Sequence, residues 1–191
     1  AYRAGNFSEA VSILTEALKR PEVSHSTDNR YKGEILSFQA VISQELGEFT
    51  EALRLHKLSL EIMQKLYGRY HRDVAASMNN LATLYTAVAE YDLAEPIYKD
   101  AFKILTMICG DNDPDTATLE ANWAYHYLLR GEYSKAEPLY SHALATTMTA
   151  YGRNHPETAL KMLGQAQIWR HTGKTKEAED LARERISKLE D

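Results

Sequence analysis

Alanine recurs at intervals of 42 residues along the chain, and this regularity is the strongest constraint on the fold. The alanine series runs Ala10, Ala52, Ala94, Ala136 and Ala178. A second series keeps the interval with one alanine in place of glycine, at Gly5, Gly47, Ala89, Gly131 and Gly173. A third series is Gly68, Gly110 and Gly152. Self-similarity at a period of about 20–50 residues is typical of stacked supersecondary units, so the sequence predicts an array of repeats.

Each repeat predicts two helices. In the clearest unit, residues 73–89 place large apolar side chains three and four positions apart, which is the pattern of one helix face. A second apolar run follows and ends at Gly110, where a residue free to adopt positive φ suits a helix C-terminus. Asp92, with Glu95 three residues on, is expected to cap the second helix, and Ser134 begins the same pair one period later. Alanines on both helices predict close packing within each pair.

Composition favours a globular chain and argues against several classes of function. The chain has 44% hydrophobic and 26% charged residues, and its net charge is −5. Without a cluster of Lys and Arg to displace counterions from phosphates, nucleic-acid binding is not expected. No stretch approaches the roughly 20 apolar residues of a membrane span, and no signal peptide opens the chain. Cys109 is the single cysteine, so an internal disulfide is excluded and a reducing intracellular compartment fits best.

The motifs within the period resemble those of a known repeat family. The pattern is Leu81-Ala82-x-x-Tyr85 followed by Ala94-x-x-x-Tyr98-x-x-Ala101. It recurs one period later and resembles the signature of the tetratricopeptide repeat (TPR). The 42-residue length and the junction Gly152-Arg153-Asn154-His155-Pro156 resemble the kinesin-light-chain type of this repeat.

This resemblance implies an all-α fold, namely a right-handed α-solenoid of antiparallel helix pairs. The domain prediction is a single array over residues 1–191, with a partial repeat at 1–25 that carries a second helix. Full repeats are then expected at 26–67, 68–109, 110–151 and 152–191, the last as a C-terminal cap. Residues 1–5 are expected to be the tail of a first helix and residues 8–20 the second helix, as in a fragment of a longer or trimmed chain. Arg185 stands where Ala101 and Ala143 stand, which favours an end to the stacking.

The resemblance also implies a non-catalytic scaffold or adaptor that binds a peptide of a partner protein in a concave groove lined by the first helices. The predicted contacts are Asn79, Asn80, Thr83 and Thr86 in the second unit, Asn122, Tyr125 and Leu129 in the third, and Gln167 and Arg170 in the fourth. Carboxamides can hold a peptide main chain, although Asn80 and Asn122 equally suit stacking between repeats. Tyr125, Leu128 and Leu129 are expected to form an apolar pocket.

The charges along this inferred groove differ from those of light-chain grooves that take acidic peptides. Only Arg170 is clearly basic, and Glu34 and Glu45 lie at the other end. An apolar or mixed-charge peptide is therefore expected instead.

No catalytic, cofactor or metal signature accompanies the repeats. The sequence lacks GxGxxG, P-loop and GxSxG motifs, and no two of its seven histidines stand four residues apart. His71 and His155 occupy equivalent junctions, which predicts a capping or packing role. No enzyme, cofactor or metal is expected. Two alternatives stay open: a self-associating or regulatory segment that forms homo-oligomers, and a repeat tail attached to a catalytic domain.

Overall fold

The computed structural model describes residues 2–20 and 30–180, and α-helix is the only regular secondary structure within them. The helices are α1 (Tyr2–Lys19), α2 (Arg30–Glu45), α3 (Phe49–Tyr67), α4 (Arg72–Ala87), α5 (Tyr91–Cys109), α6 (Pro114–Leu129), α7 (Tyr133–Tyr151) and α8 (Pro156–His171). Residues 175–180 are helical as well. The predicted all-helical class is therefore confirmed. None of the described helices is both long and apolar enough to cross a membrane.

The helix boundaries repeat at the period of the sequence. First helices of 16 residues begin at Arg30, Arg72, Pro114 and Pro156, and second helices of 19 residues begin at Phe49, Tyr91 and Tyr133. Contacts divide the chain into two compact units, Ala1–Ile104 and Leu105–Asp191. In the first unit α2 packs against α1, α3 and α4, and in the second α6 and α8 both pack against α7.

A three-residue turn with a left-handed residue at its centre joins the helices of each pair. In the turn after α4, the Glu90 N–H donates to the Tyr85 carbonyl at 2.9 Å and the Ala89 N–H donates to the Thr86 carbonyl at 3.1 Å. These two bonds define a Schellman motif, and Ala89 holds its central position with φ 61°. Gly131 occupies the same position one period later with φ 73°. From Gly47 onward the series therefore marks turns, and Ala89 is its strained member.

Side chains of the junctions cap the first helices. The Nδ1 atoms of His71 and His155 accept hydrogen bonds from the Asp73 and Glu157 N–H groups, at 3.1 and 3.2 Å. Each imidazole also stacks on a tyrosine of the preceding helix, with ring centroids 4.0 and 4.8 Å apart. The predicted capping role of these histidines is confirmed.

Two local predictions are wrong. Second helices begin one residue earlier than expected, so that Asp92 and Ser134 lie in the first helical turn. Glu132 precedes α7 without a side-chain cap bond, because its carboxylate pairs with Arg130 and Lys135 at 2.5 Å. In addition, α1 runs without a break through Gly5.

Alanine methyls permit the close helix packing that the sequence predicts. The second-helix alanines Ala94, Ala101, Ala136 and Ala143 are all 0% exposed. The core of the second unit joins Ala124, Tyr127, Leu128, Ala136 and Ile168. The prediction about Arg185 and the terminal cap lies outside the described residues.

We expect Ala89→Gly to stabilise the protein by about 0.5–1 kcal/mol. A side chain in the left-handed region costs about 1–2 kcal/mol, and the greater freedom of unfolded glycine offsets part of that gain. The matched control is Gly131→Ala, where an added Cβ would meet no atom within 4 Å and only the φ of 73° opposes it. Urea unfolding should move the two midpoints in opposite directions. A shift in the same direction for both variants would contradict the strain argument.

We also expect His56 to destabilise the protein in acid. His56 lies on α3 where Tyr98 stands one period later, and it is 2% exposed. Burial lowers its pKa from 6.5 to about 4. The unfolded chain therefore binds a proton that the folded chain rejects, so stability is intact above pH 6.5 and is lost as pH falls toward 4.

Between pH 7 and 4.5 this loss amounts to about 2–3 kcal/mol. Unfolding of His56→Phe should show a stability change over that interval that is smaller by this amount. The buried Met63→Leu on the same helix removes no titratable group and should keep the parent's pH dependence. Equal slopes for the parent and His56→Phe would refute the assignment.

Candidate functional site

A cavity of about 230 Å³ opens between the first helices α2 and α4 in the first unit. Its lining residues are Glu34, Ser37, Phe38, Val41, Met63, Asp73, Ala76, Ser77 and Asn80. The cavity is smaller than the roughly 300–1,000 Å³ of pockets that hold whole small-molecule ligands. Its size and mixed lining suit one or two side chains of a larger ligand.

Helix α2 carries a row of exposed apolar side chains, two of which line this cavity. On α2, Tyr31 is 65% exposed, Phe38 63% and Val41 45%. Their spacing of seven and three residues places them on one helix face. Single exposed apolar residues are ordinary, so the position of this row beside a cavity is what makes it a candidate site.

Carboxylates lie at one end of the cavity. Glu34 and Asp73 are both close to the N-terminal ends of their helices. The Arg30 Nε donates to Glu34 Oε1 at 2.8 Å and lies 3.9 Å from Asp73 Oδ2. The hydrogen bond and charge of Glu34 raise the pKa of Arg30 above its usual value. Arg30 therefore stays charged, yet it does not line the cavity.

The two predicted asparagines of the second repeat differ in accessibility. Asn80 is half-buried, lines the cavity, and donates from Nδ2 to Ser37 Oγ at 3.2 Å. Its amide thus connects the first helices of two neighbouring repeats while part of it faces the cavity. Asn79 is 9% exposed and offers little surface.

The two predicted threonines form hydrogen bonds with a buried tyrosine, Tyr98. The hydroxyl of Tyr98 lies 3.1 Å from Thr83 Oγ1, which itself donates to the Asn79 carbonyl at 2.9 Å. Burial raises the pKa of Tyr98, and hydrogen bonds with Thr83 and Thr86 act in the opposite direction. Thr86 is buried and Thr83 is half-buried. Their hydroxyls satisfy a core phenol that would otherwise cost free energy.

The second unit has its own exposed apolar row on its first helices. Tyr125 and Leu129 are exposed on α6, as are Leu160 and Leu163 on α8. The predicted contacts Gln167 and Arg170 are also exposed, and Asn122 is half-buried. Leu128 does not belong to a surface pocket as expected, because it packs in the core beside Ala136 and Ile168. Its position on the helix faces α7 instead of solvent.

A buried acidic residue in the second unit was not predicted. Glu120 is 4% exposed, and its Oε2 lies 2.7 Å from His142 Nδ1 on α7. Burial raises the pKa of Glu120, and the hydrogen bond with His142 acts against that rise. The equivalent positions in other repeats hold Leu36, Met78 and Met162. Comparing repeats in register would have revealed this exception.

Within residues 2–20 and 30–180, no three His, Cys, Asp or Glu side chains group as metal ligands.

Register comparison would also have found Phe38, since it stands 42 residues before Asn80.

Comparison with known proteins agrees with this architecture. A family model of the tetratricopeptide repeat matches residues 31–107 and 115–191. BtubC (BKLC) from P. vanneervenii superposes with a TM-score of 0.79 at 21% identity, over 97% of this chain and 74% of that one. TPR-like repeats assigned to a kinesin light chain of Podosopora anserina give 0.72 at 19% identity, over 97% and 87%. No curated protein matches in sequence. At such identities the structural likeness establishes the fold alone.

Proposed function

The chain belongs to the tetratricopeptide repeat family, and we propose that it is a non-catalytic scaffold that binds a peptide segment of a partner protein. Repeats of this family generally mediate protein–protein interaction. The observation that carries the proposal is the exposed apolar row on α2 beside the cavity of the first unit. An apolar peptide side chain buried there would remove Phe38 and Val41 from water.

The polar groups of the cavity complement a peptide backbone. Asn80 offers amide donors and an acceptor oxygen next to the apolar residues. Ser37 and Ser77 add hydroxyls on either side. A few polar groups within an apolar surface fix the orientation of a ligand. In this proposal the cavity holds an apolar anchor while Asn80 holds main-chain atoms.

The exposed row of the second unit is proposed as a separate contact surface. Tyr125 and Leu129 supply apolar area, while Gln167 and Arg170 supply hydrogen-bond donors. We further propose an intracellular setting, since a chain with Cys109 alone lacks the disulfides that support many secreted domains.

The first test compares two alanine substitutions of exposed apolar residues. Phe38→Ala should weaken binding of a peptide selected from an unbiased library about tenfold or more, since burying a Phe side chain is worth roughly 1.5–3 kcal/mol. The matched control is Leu93→Ala on α5, where the leucine is 50% exposed. Affinity should be measured by fluorescence anisotropy.

Both variants should keep the parent's circular dichroism and unfolding midpoint, because exposed substitutions rarely change stability by more than about 0.5 kcal/mol. Equal affinities for Phe38→Ala and Leu93→Ala would rule out this surface as the peptide site. Light scattering of the free protein tests the self-association alternative, which predicts a dimer that dissociates on dilution.

A further inference from the structure

We infer that the first-unit cavity selects a basic peptide, in which a lysine or arginine stands two residues from an apolar anchor. The inference rests on the proposed function and names the chemical class of its ligand. The lining of the cavity carries negative charge. Of the nine lining residues, Glu34 and Asp73 are acidic and none is basic.

In the part of the chain that the structure describes, Arg30 contacts the two carboxylates unequally. Arg30 makes its short contact with Glu34, while its Nε stays 3.9 Å from Asp73 Oδ2. His71 Nδ1 is also 3.9 Å from that oxygen, but it already accepts the Asp73 N–H. Arg72 is adjacent in sequence but does not line the cavity. Within residues 30–180, the lining of the cavity thus carries two carboxylates and no cationic side chain, which favours a cation on the ligand.

The positions of charge and apolar surface set the spacing of the ligand. Glu34 precedes Phe38 by four residues, which is a rise of about 6 Å along a helix. In an extended peptide, alternate side chains point to the same side at about 6.6 Å. An apolar side chain seated against Phe38 and Val41 therefore brings the residue two positions away to Glu34 and Asp73. Lysine and arginine reach these carboxylates with a donor, whereas an acidic residue would be repelled.

Three labelled peptides test the charge preference directly. They share a leucine within a Gly-Ser frame and carry Lys, Gln or Glu at both positions two residues from it. Fluorescence anisotropy with the full chain at low ionic strength should give the tightest binding for the Lys peptide. The preference over the Gln peptide should be about twofold to fivefold, which is the effect expected of one exposed ion pair. Added salt should reduce it.

Charge-neutral variants locate the preference within the molecule. The double variant Glu34→Gln with Asp73→Asn should lose the preference for the Lys peptide and keep the affinity for the Gln peptide. The matched control is Glu51→Gln with Glu61→Gln, which removes two carboxylates that are also ion-paired but lie on α3. Arg30→Gln should strengthen Lys-peptide binding, because it releases Glu34.

Different outcomes of these experiments would overturn the basic-ligand inference and the proposed function. Equal or tighter binding of the Glu peptide, with affinity still dependent on Phe38, would overturn the basic-ligand inference and leave peptide binding intact. Absence of binding by all three peptides and by an unbiased library would overturn the proposed function as well. A dimer that Phe38→Ala dissociates would show that a second copy occupies the cavity.

Discussion

The close approach of the two helices in each pair is the constraint on which the other features depend. Buried methyls at Ala94 and Ala136 set that distance, and a larger side chain there would force the helices apart. A fixed helix separation in turn requires a tight turn, which the Schellman hydrogen bonds after α2, α4 and α6 supply. With the second helix packed on one side, one stripe of the first helix stays uncovered. The exposed row around Phe38 is therefore a product of the packing.

Features that recur at the sequence period were predictable because one cause produces them in every copy. The positive φ of Gly131 and the capping by His71 and His155 are examples, and the TPR fold follows from them. The first residues of the second helices were harder to predict from sequence, because Asp92 and Ser134 have side chains typical of N-caps. The turn geometry decides where the helix begins, and it admits Tyr91 and Tyr133 one residue earlier.

The candidate site was only partly predictable. Helical spacing places Asn79 and Thr86 toward the groove, but it does not show that the hydroxyl of Tyr98 reaches between the helices and is satisfied by the threonines. Phe38 was not predicted because the next repeat has an asparagine of the family motif, Asn80, at the equivalent position. The acidic end of the cavity depends on two helices lying side by side, which spacing along one helix does not reveal.

The hydrogen bond between buried Glu120 and half-buried His142 bears on how a chain of similar repeats avoids pairing the wrong helices. Every second helix offers nearly the same shape to α6, so mispairing with a neighbouring repeat is the characteristic error of such arrays. The position of His142 is occupied by Leu58 on α3 and by Asp100 on α5. Docked on either, Glu120 would meet an apolar side chain or a like charge, and an unpartnered buried carboxylate costs several kcal/mol. The hydrogen bond between Glu120 and His142 therefore favours the pairing of α6 with α7 over its pairing with another second helix.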